Sequence, residues 1–195
     1  IRRCQIKDRN TTGILFGAPD RGGAIHHAKW KARGKHMPAA IFIGADPVQY
    51  LVAPSRYGED EFAIAGGIRG AAVELVKCET VDLEVPADAE IVVEGYISDD
   101  PATYESEGPF GEYTGYVSDL PTPRPTMKIT CITHRRDPVF RGSLEGTLPG
   151  SYSENSVMSS VQRAGIAWNI LNNAGIPGIL DVFAPPITNG VNIRV

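Results

Sequence analysis

Ala89-Glu90-Ile91-Val92-Val93-Glu94-Gly95-Tyr96 and Thr126-Met127-Lys128-Ile129-Thr130-Cys131-Ile132-Thr133 decide the fold. Both are rich in β-branched residues and flanked by Gly, Pro and Asp, so both predict strands. Shorter strands are expected on either side. Arg3–Lys7 and Thr12–Phe16 are joined by the turn formers Asp8-Arg9-Asn10, Val73–Cys78 and Val139–Gly142 lie among further turns, and Gly178–Phe183 reads as a last buried strand. Ala39–Gly44 is continuously apolar and predicts a fully buried strand. Helices are expected over Ala24–Ala32, behind Asp46 with Pro47 in the first turn, and over Glu61–Gly67. The one long helix runs from about Ser153 to Asn173. There Val157, Val161, Ala164, Trp168 and Leu171 recur at 3.6-residue spacing, and Ser151 with Glu154 has capping-box spacing. Many short strands and one substantial helix make an α+β chain with a barrel-like sheet.

Composition narrows the function. In 195 residues, 19 basic against 23 acidic side chains give a net charge of −4, which argues against nucleic acid. The longest apolar run, Pro38 to Ile43, is far too short for a membrane span. Glycine and proline total 21 plus 15, well above ordinary usage, as expected where short elements are joined by shaped loops. Cys4, Cys78 and Cys131 are odd in number and widely spaced, and are expected to be reduced, buried thiols of a cytoplasmic protein. The chain opens on Ile1 without methionine and closes on the alternating Gly190–Val195, so a piece of a longer protein is expected.

Four segments bear chemistry. Glu107-Gly108-Pro109-Phe110-Gly111-Glu112 sets two carboxylates about a Gly-Pro turn beside an apolar ring. That is either a solvated loop or an acid pair whose environments split its pKa values. Glu59-Asp60-Glu61 is either a helix start or a source of oxygen ligands for a hard cation. Arg21-Gly22-Gly23 is either a plain turn or a phosphate cradle. His26 and His27 are adjacent and face different ways, while His36 and His134 have no partner in sequence range. Common hydrolase and nucleotide signatures do not occur.

Taken in order, the chain resembles the UbiD family of prenylated-FMN-dependent decarboxylases. The resemblance runs through Ile1-Arg2-Arg3, Gln5–Gly13, Arg21–Ala24, Ile43–Pro47, Glu61–Gly67, Val76–Ala87 and Glu90–Gly95, ending in Glu107-Gly108-Pro109-Phe110-Gly111-Glu112-Tyr113-Thr114-Gly115-Tyr116. It implies the family's central flavin-binding split β-barrel domain over residues 1–195, with the last residues, about 175–195, leading toward a C-terminal domain. It also implies non-oxidative, reversible decarboxylation of an unsaturated or aromatic carboxylic acid.

Residue by residue, the resemblance places Ile1, Arg2, Arg3, Leu15, Phe16, Gly17, Arg21 and Gly22 along the flavin. Arg3 matches the arginine that grips the substrate carboxylate, a task suited to a guanidinium fork. Glu107 matches its glutamate partner, and Glu112 the acid that protonates the substrate carbon. Glu61 matches a ligand of a manganese-like divalent ion joined to the flavin phosphate, and potassium is a further expected ion. The family's metal-binding asparagine would precede Ile1, and Gly22 stands where some members carry histidine. A flavin prenyltransferase as cofactor supplier and a homo-oligomeric parent are implied too, while the isolated piece is expected to be inactive. Two rival readings are a non-catalytic flavin-binding or assembly module and a flavin reductase-like split barrel.

Overall fold

The computed structural model describes residues 3–16, 19, 22–54, 60–112, 116–118, 120–142, 152–188 and 192–195. They divide into two compact units. In chain order the elements are β1 (Ile6–Asp8), β2 (Thr11–Gly13), α1 (Gly22–Lys31), β3 (Met37–Ile43), α2 (Pro47–Val52), α3 (Glu61–Arg69), β4 (Leu75–Lys77) and β5 (Glu84–Pro86). They continue with β6 (Ile91–Ile97), β7 (Glu105–Glu107), β8 (Phe110–Gly111), β9 (Val117–Ser118), β10 (Thr122–Arg124), β11 (Thr126–His134) and α4 (Glu154–Asn173). The chain is therefore mixed α and β, with antiparallel sheets and one long helix.

The first unit draws on Ile1–Asp46, Glu74–Pro109 and Asp119–Arg141. Its main sheet has the order β1-β2-β11-β6-β3, every pairing antiparallel. β6 and β11, the two runs that anchor the sequence reading, lie side by side within it. Side chains alternate across β3: Ala39 and Ile41 pack on Ile14, Phe16, Met37, Ile97 and Met127, while Ala40 and Phe42 pack on Val85, Ala89 and Val92. Both faces are covered, which accounts for the unbroken apolar run. β3 is nonetheless half-buried rather than fully buried beyond Met37, because it is the edge strand.

The β6–β11 ladder is irregular between Ile129 and Cys131, and Gly95 faces Ile129 at that bulge. A Cβ on Gly95 would stand 2.0 Å from the Lys128 carbonyl oxygen, so only glycine fits. Next to it, Glu94 is 1% exposed, and its oxygens accept from the N–H groups of Glu79 (2.9 Å) and Thr80 (2.6 Å) and from the Thr80 hydroxyl (2.8 Å). Burial opposes its charge, but those donors outweigh burial and hold the carboxyl below the usual range. Glu94 thus pins the loop before β5 to the sheet.

The second unit draws on Pro47–Val73, Phe110–Ser118 and Gly142–Val195. It contains α2, α3, the β8–β9 hairpin and α4. Asp60 caps α3, its Oδ1 accepting from Phe62 (2.7 Å) and Ala63 (3.2 Å), so Asp60 and Glu61 form a helix start, while Glu59 lies outside the described residues. Ser153 caps α4; the expected capping residue Ser151 lies outside the described residues.

Several expectations are corrected. The first part of the 3.6-residue stripe of α4 does not lie on its buried face: Val157 and Val161 are exposed while Ala164, Trp168 and Leu171 are half-buried, and Ser153, Ser156 and Ser160 are buried. Small hydroxyl side chains satisfy themselves within the helix, Ser160 donating to the Ser156 carbonyl at 2.8 Å, and so tolerate the inward side. Val139–Gly142 is not a strand. Gly178–Phe183 is not a buried strand either: Leu180 is 92% exposed, and only Phe183 bridges, to Arg194. Cys4 is exposed and Cys78 and Cys131 are half-buried, all three as reduced thiols. His36 does have a partner, with Nδ1 lying 2.6 Å from Asp99 Oδ1.

Candidate active site

β1 and the residues before it lie antiparallel to β2. Gly13 N–H donates to the Gln5 carbonyl at 2.8 Å, and Leu15 N–H reaches the Arg3 carbonyl at 3.4 Å. Arg3, Gln5 and Lys7 follow each other at the period of two that extended chain imposes. The Lys7 ammonium donates to Gln5 Oε1 at 2.8 Å and to the Ser106 carbonyl, tying β1 to β7. β7 pairs in turn with β10, with Glu107 opposite Thr122 and Glu105 opposite Arg124.

Glu107 stands at the centre. It is 3% exposed, Oε1 accepts the Gln5 N–H at 3.2 Å, and Oε2 is buried without a hydrogen-bond partner among the described residues. The carboxylate rests on Gly13: a Cβ there would lie 2.5 Å from Oε1 and 2.7 Å from the carboxyl carbon. Burial raises the Glu107 pKa above the usual carboxylate range. The Gln5 N–H and the positive charges of Lys7, Arg124 and Arg3 oppose the rise without cancelling it. Arg3 and Glu107, 104 positions apart in sequence, are thus within electrostatic reach in one unit.

Other sequence-derived candidates are distributed differently. Leu15 and Phe16 continue β2, and Phe16 is buried with its ring 5.4 Å from that of His27, whose Nε2 lies 2.8 Å from the Ser98 carbonyl. His27 is accordingly a core histidine. Gly22 is the first residue of α1, and a Cβ there would meet open space. Ile1, Arg2, Gly17 and Arg21 lie outside the described residues. Glu112 and Glu61 belong to the second unit. Glu112 follows β8 and is half-buried, its N–H donating to the Tyr116 carbonyl at 2.7 Å. Glu61 opens α3, and among the described residues no group of three or more His, Cys, Asp or Glu side chains is arranged to hold a metal.

Sequence reasoning missed Gln5, Lys7, Gly13 and Arg124. The period-two spacing from Arg3 is a usable signal for Gln5 and Lys7. Nothing local marks Arg124, whose place depends on the pairing of β7 with β10.

Residues 1–148 match the family model described as UbiD, the 3-octaprenyl-4-hydroxybenzoate carboxy-lyase Rift-related domain. Among solved structures the chain is similar to an evolved dimeric form of the UbiD-class enzyme HmfF from Pelotomaculum thermopropionicum in complex with prFMN. Identity is 34% and the TM-score 0.82, over 97% of this chain and 42% of that one. Vanillic acid decarboxylase of Sedimentibacter hydroxybenzoicus in open form is similar at 31% identity and a TM-score of 0.83, over 98% and 40% of the two chains. Apo 3,4-dihydroxybenzoic acid decarboxylase (AroY) from Klebsiella pneumoniae matches at 26% and 0.77, over 97% and 40%. The chain spans about two fifths of the length of these proteins.

Proposed function

The chain belongs to the UbiD family of carboxy-lyases, and from that premise we propose that it is the prenylated-FMN-binding part of a non-oxidative, reversible decarboxylase acting on an unsaturated or aromatic carboxylic acid. The observation that carries the reading is the buried Glu107, seated on Gly13 and under the charge of Arg3. A flavin-binding or assembly module has no use for a desolvated carboxyl beside a guanidinium, and neither has a flavin reductase.

In this reading residues 1–195 are the central domain, a split barrel built on the β1-β2-β11-β6-β3 sheet, and the segment from about 175 leads toward a C-terminal domain. Arg3 binds the substrate carboxylate through two parallel hydrogen bonds, and Glu107 pairs with Arg3 and fixes its orientation. Glu112 donates the proton that replaces carbon dioxide on the substrate carbon and is recharged from solvent. Prenylated FMN supplies the electron sink for the departing carboxylate when it is bound.

The residues present fit such a site: Glu107 Oε2 and a buried Arg124 Nε, both without hydrogen-bond partners among the described residues, offer polar atoms to an acid ligand or its partners. Ile1, Arg2, Leu15, Phe16 and Gly17 would lie along the flavin, with Arg21 and Gly22 toward its phosphate. Glu61 would supply one oxygen to a manganese-like ion that offsets the phosphate charge, and a potassium ion would complete the site. In the same reading, carried by membership of the family, the full-length protein is homo-oligomeric and cytoplasmic and takes its cofactor from a flavin prenyltransferase, and the 195-residue piece, about two fifths of its relatives' length, is inactive by itself.

The test is Glu112→Gln in the full-length protein, produced together with a flavin prenyltransferase. Decarboxylation is expected to fall about 10²- to 10⁴-fold with bound flavin unchanged in mass and absorbance. Undiminished turnover overturns the assigned role.

A further inference from the structure

Two buried polar atoms of opposite character lack partners among the described residues of the first unit, Oε2 of Glu107 and Nε of Arg124. Their strands are hydrogen-bonded, with Thr122 opposite Glu107 and Arg124 opposite Glu105. Opposed residues share a face, and so do residues two apart, so Glu107 and Arg124 are diagonal neighbours on one face, within reach for long side chains. Gln5 and Gly13 close the other sides of the carboxylate. The charged groups around it are Lys7 and Arg3 from β1 and the residues before it, Arg124 from β10, and Glu105 on the same face of β7. The Lys7 ammonium is already engaged by Gln5 Oε1 and the Ser106 carbonyl.

We propose that Arg124 is a positioning residue for Glu107: its guanidinium, diagonal to Glu107 across β7 and β10 and not in contact with it, favours the charged carboxylate through space and so keeps it available to Arg3. The proposal rests on the reading of Glu107 as the partner of Arg3. Its physical basis is independent of that chemistry. A buried carboxylate stays ionised only where hydrogen-bond donors or cations offset the burial; Glu107 accepts the single Gln5 N–H, so the nearby cations must supply the rest, and a guanidinium stays protonated at any working pH. The charge of Arg124 does pull the Glu107 pKa down against burial.

The experiment is a carboxyl-carbon NMR titration of Glu107 in the full-length protein, assigned by Glu107→Gln and repeated in Arg124→Gln and Arg124→Lys. Arg124→Gln should move the midpoint upward, and Arg124→Lys, which restores a cation, should bring it back toward the parent value. Identical titrations in the parent and Arg124→Gln overturn the proposal. Should Arg124→Gln fail to fold, the Nε–H resonance of Arg124 in the parent decides. It should shift with the Glu107 midpoint and lose that step in Glu107→Gln, whereas a flat response overturns the proposal. No readout involves turnover, so failure here and failure of the decarboxylase reading are separate results.

Discussion

The carboxylate of Glu107 and the α-carbon of Gly13 are so close that a methyl group on Gly13 would stand 2.5 Å from Oε1 and 2.9 Å from Oε2. The bareness of one residue on β2 is what lets an acid on β7 be buried beside the start of the chain.

Gly13→Ala should therefore displace Glu107 without unfolding the protein, since the atoms that must move are the far end of a side chain. A displacement of about 1 Å at a reacting group costs on the order of 10²-fold in rate. In the flavin-loaded full-length protein, kcat/KM should fall by about that factor while far-UV circular dichroism is unchanged. Parent-like kinetics would contradict the placement.

Glu107→Gln should alter how stability depends on pH. Because the folded carboxyl holds its proton above the usual carboxylate range, the folded state binds more protons than the unfolded state between the unfolded value, about 4.3, and the raised folded value. Stability from this group is present at low pH and is lost as pH rises through that window. Urea midpoints of parent and Glu107→Gln should diverge in favour of the variant as pH is raised from acid to neutral. A constant difference would argue against the raised pKa.

Glu94 predicts the opposite sign. Its folded carboxyl lies below the usual range, so its contribution is present above the unfolded value and is lost as pH falls toward the folded one. Glu94→Gln replaces an acceptor with a donor facing the Glu79 and Thr80 N–H groups. It should cost roughly 1.5–3 kcal/mol at neutral pH by urea denaturation, a gap that narrows in acid.

Two glycine substitutions should part company. Gly95→Ala drives a methyl group into the Lys128 carbonyl and should cost about 3 kcal/mol or more, because both contacting groups are backbone. Gly165→Ala, in α4 with open space around it, should raise stability by about 0.5–1 kcal/mol. Thermal melts of the two variants provide the check.

Composition and local pattern determined much by themselves. β-Branched runs marked β6 and β11, the acids before Phe62 marked a candidate start for α3, and the order of short motifs marked the family, because each depends on neighbours within a few positions. Tertiary structure decided the rest. The α4 stripe had the correct period but Val157 and Val161 face outward, since period identifies a face and only packing says which face is covered. Leu180 is exposed because an apolar run becomes a strand only where another strand pairs with it along its length. Gly13 beneath Glu107, and Arg124 diagonal to it, follow from which strands lie together. Strand pairing is a long-range choice, made by the burial of whole surfaces, and no short stretch of sequence carries it.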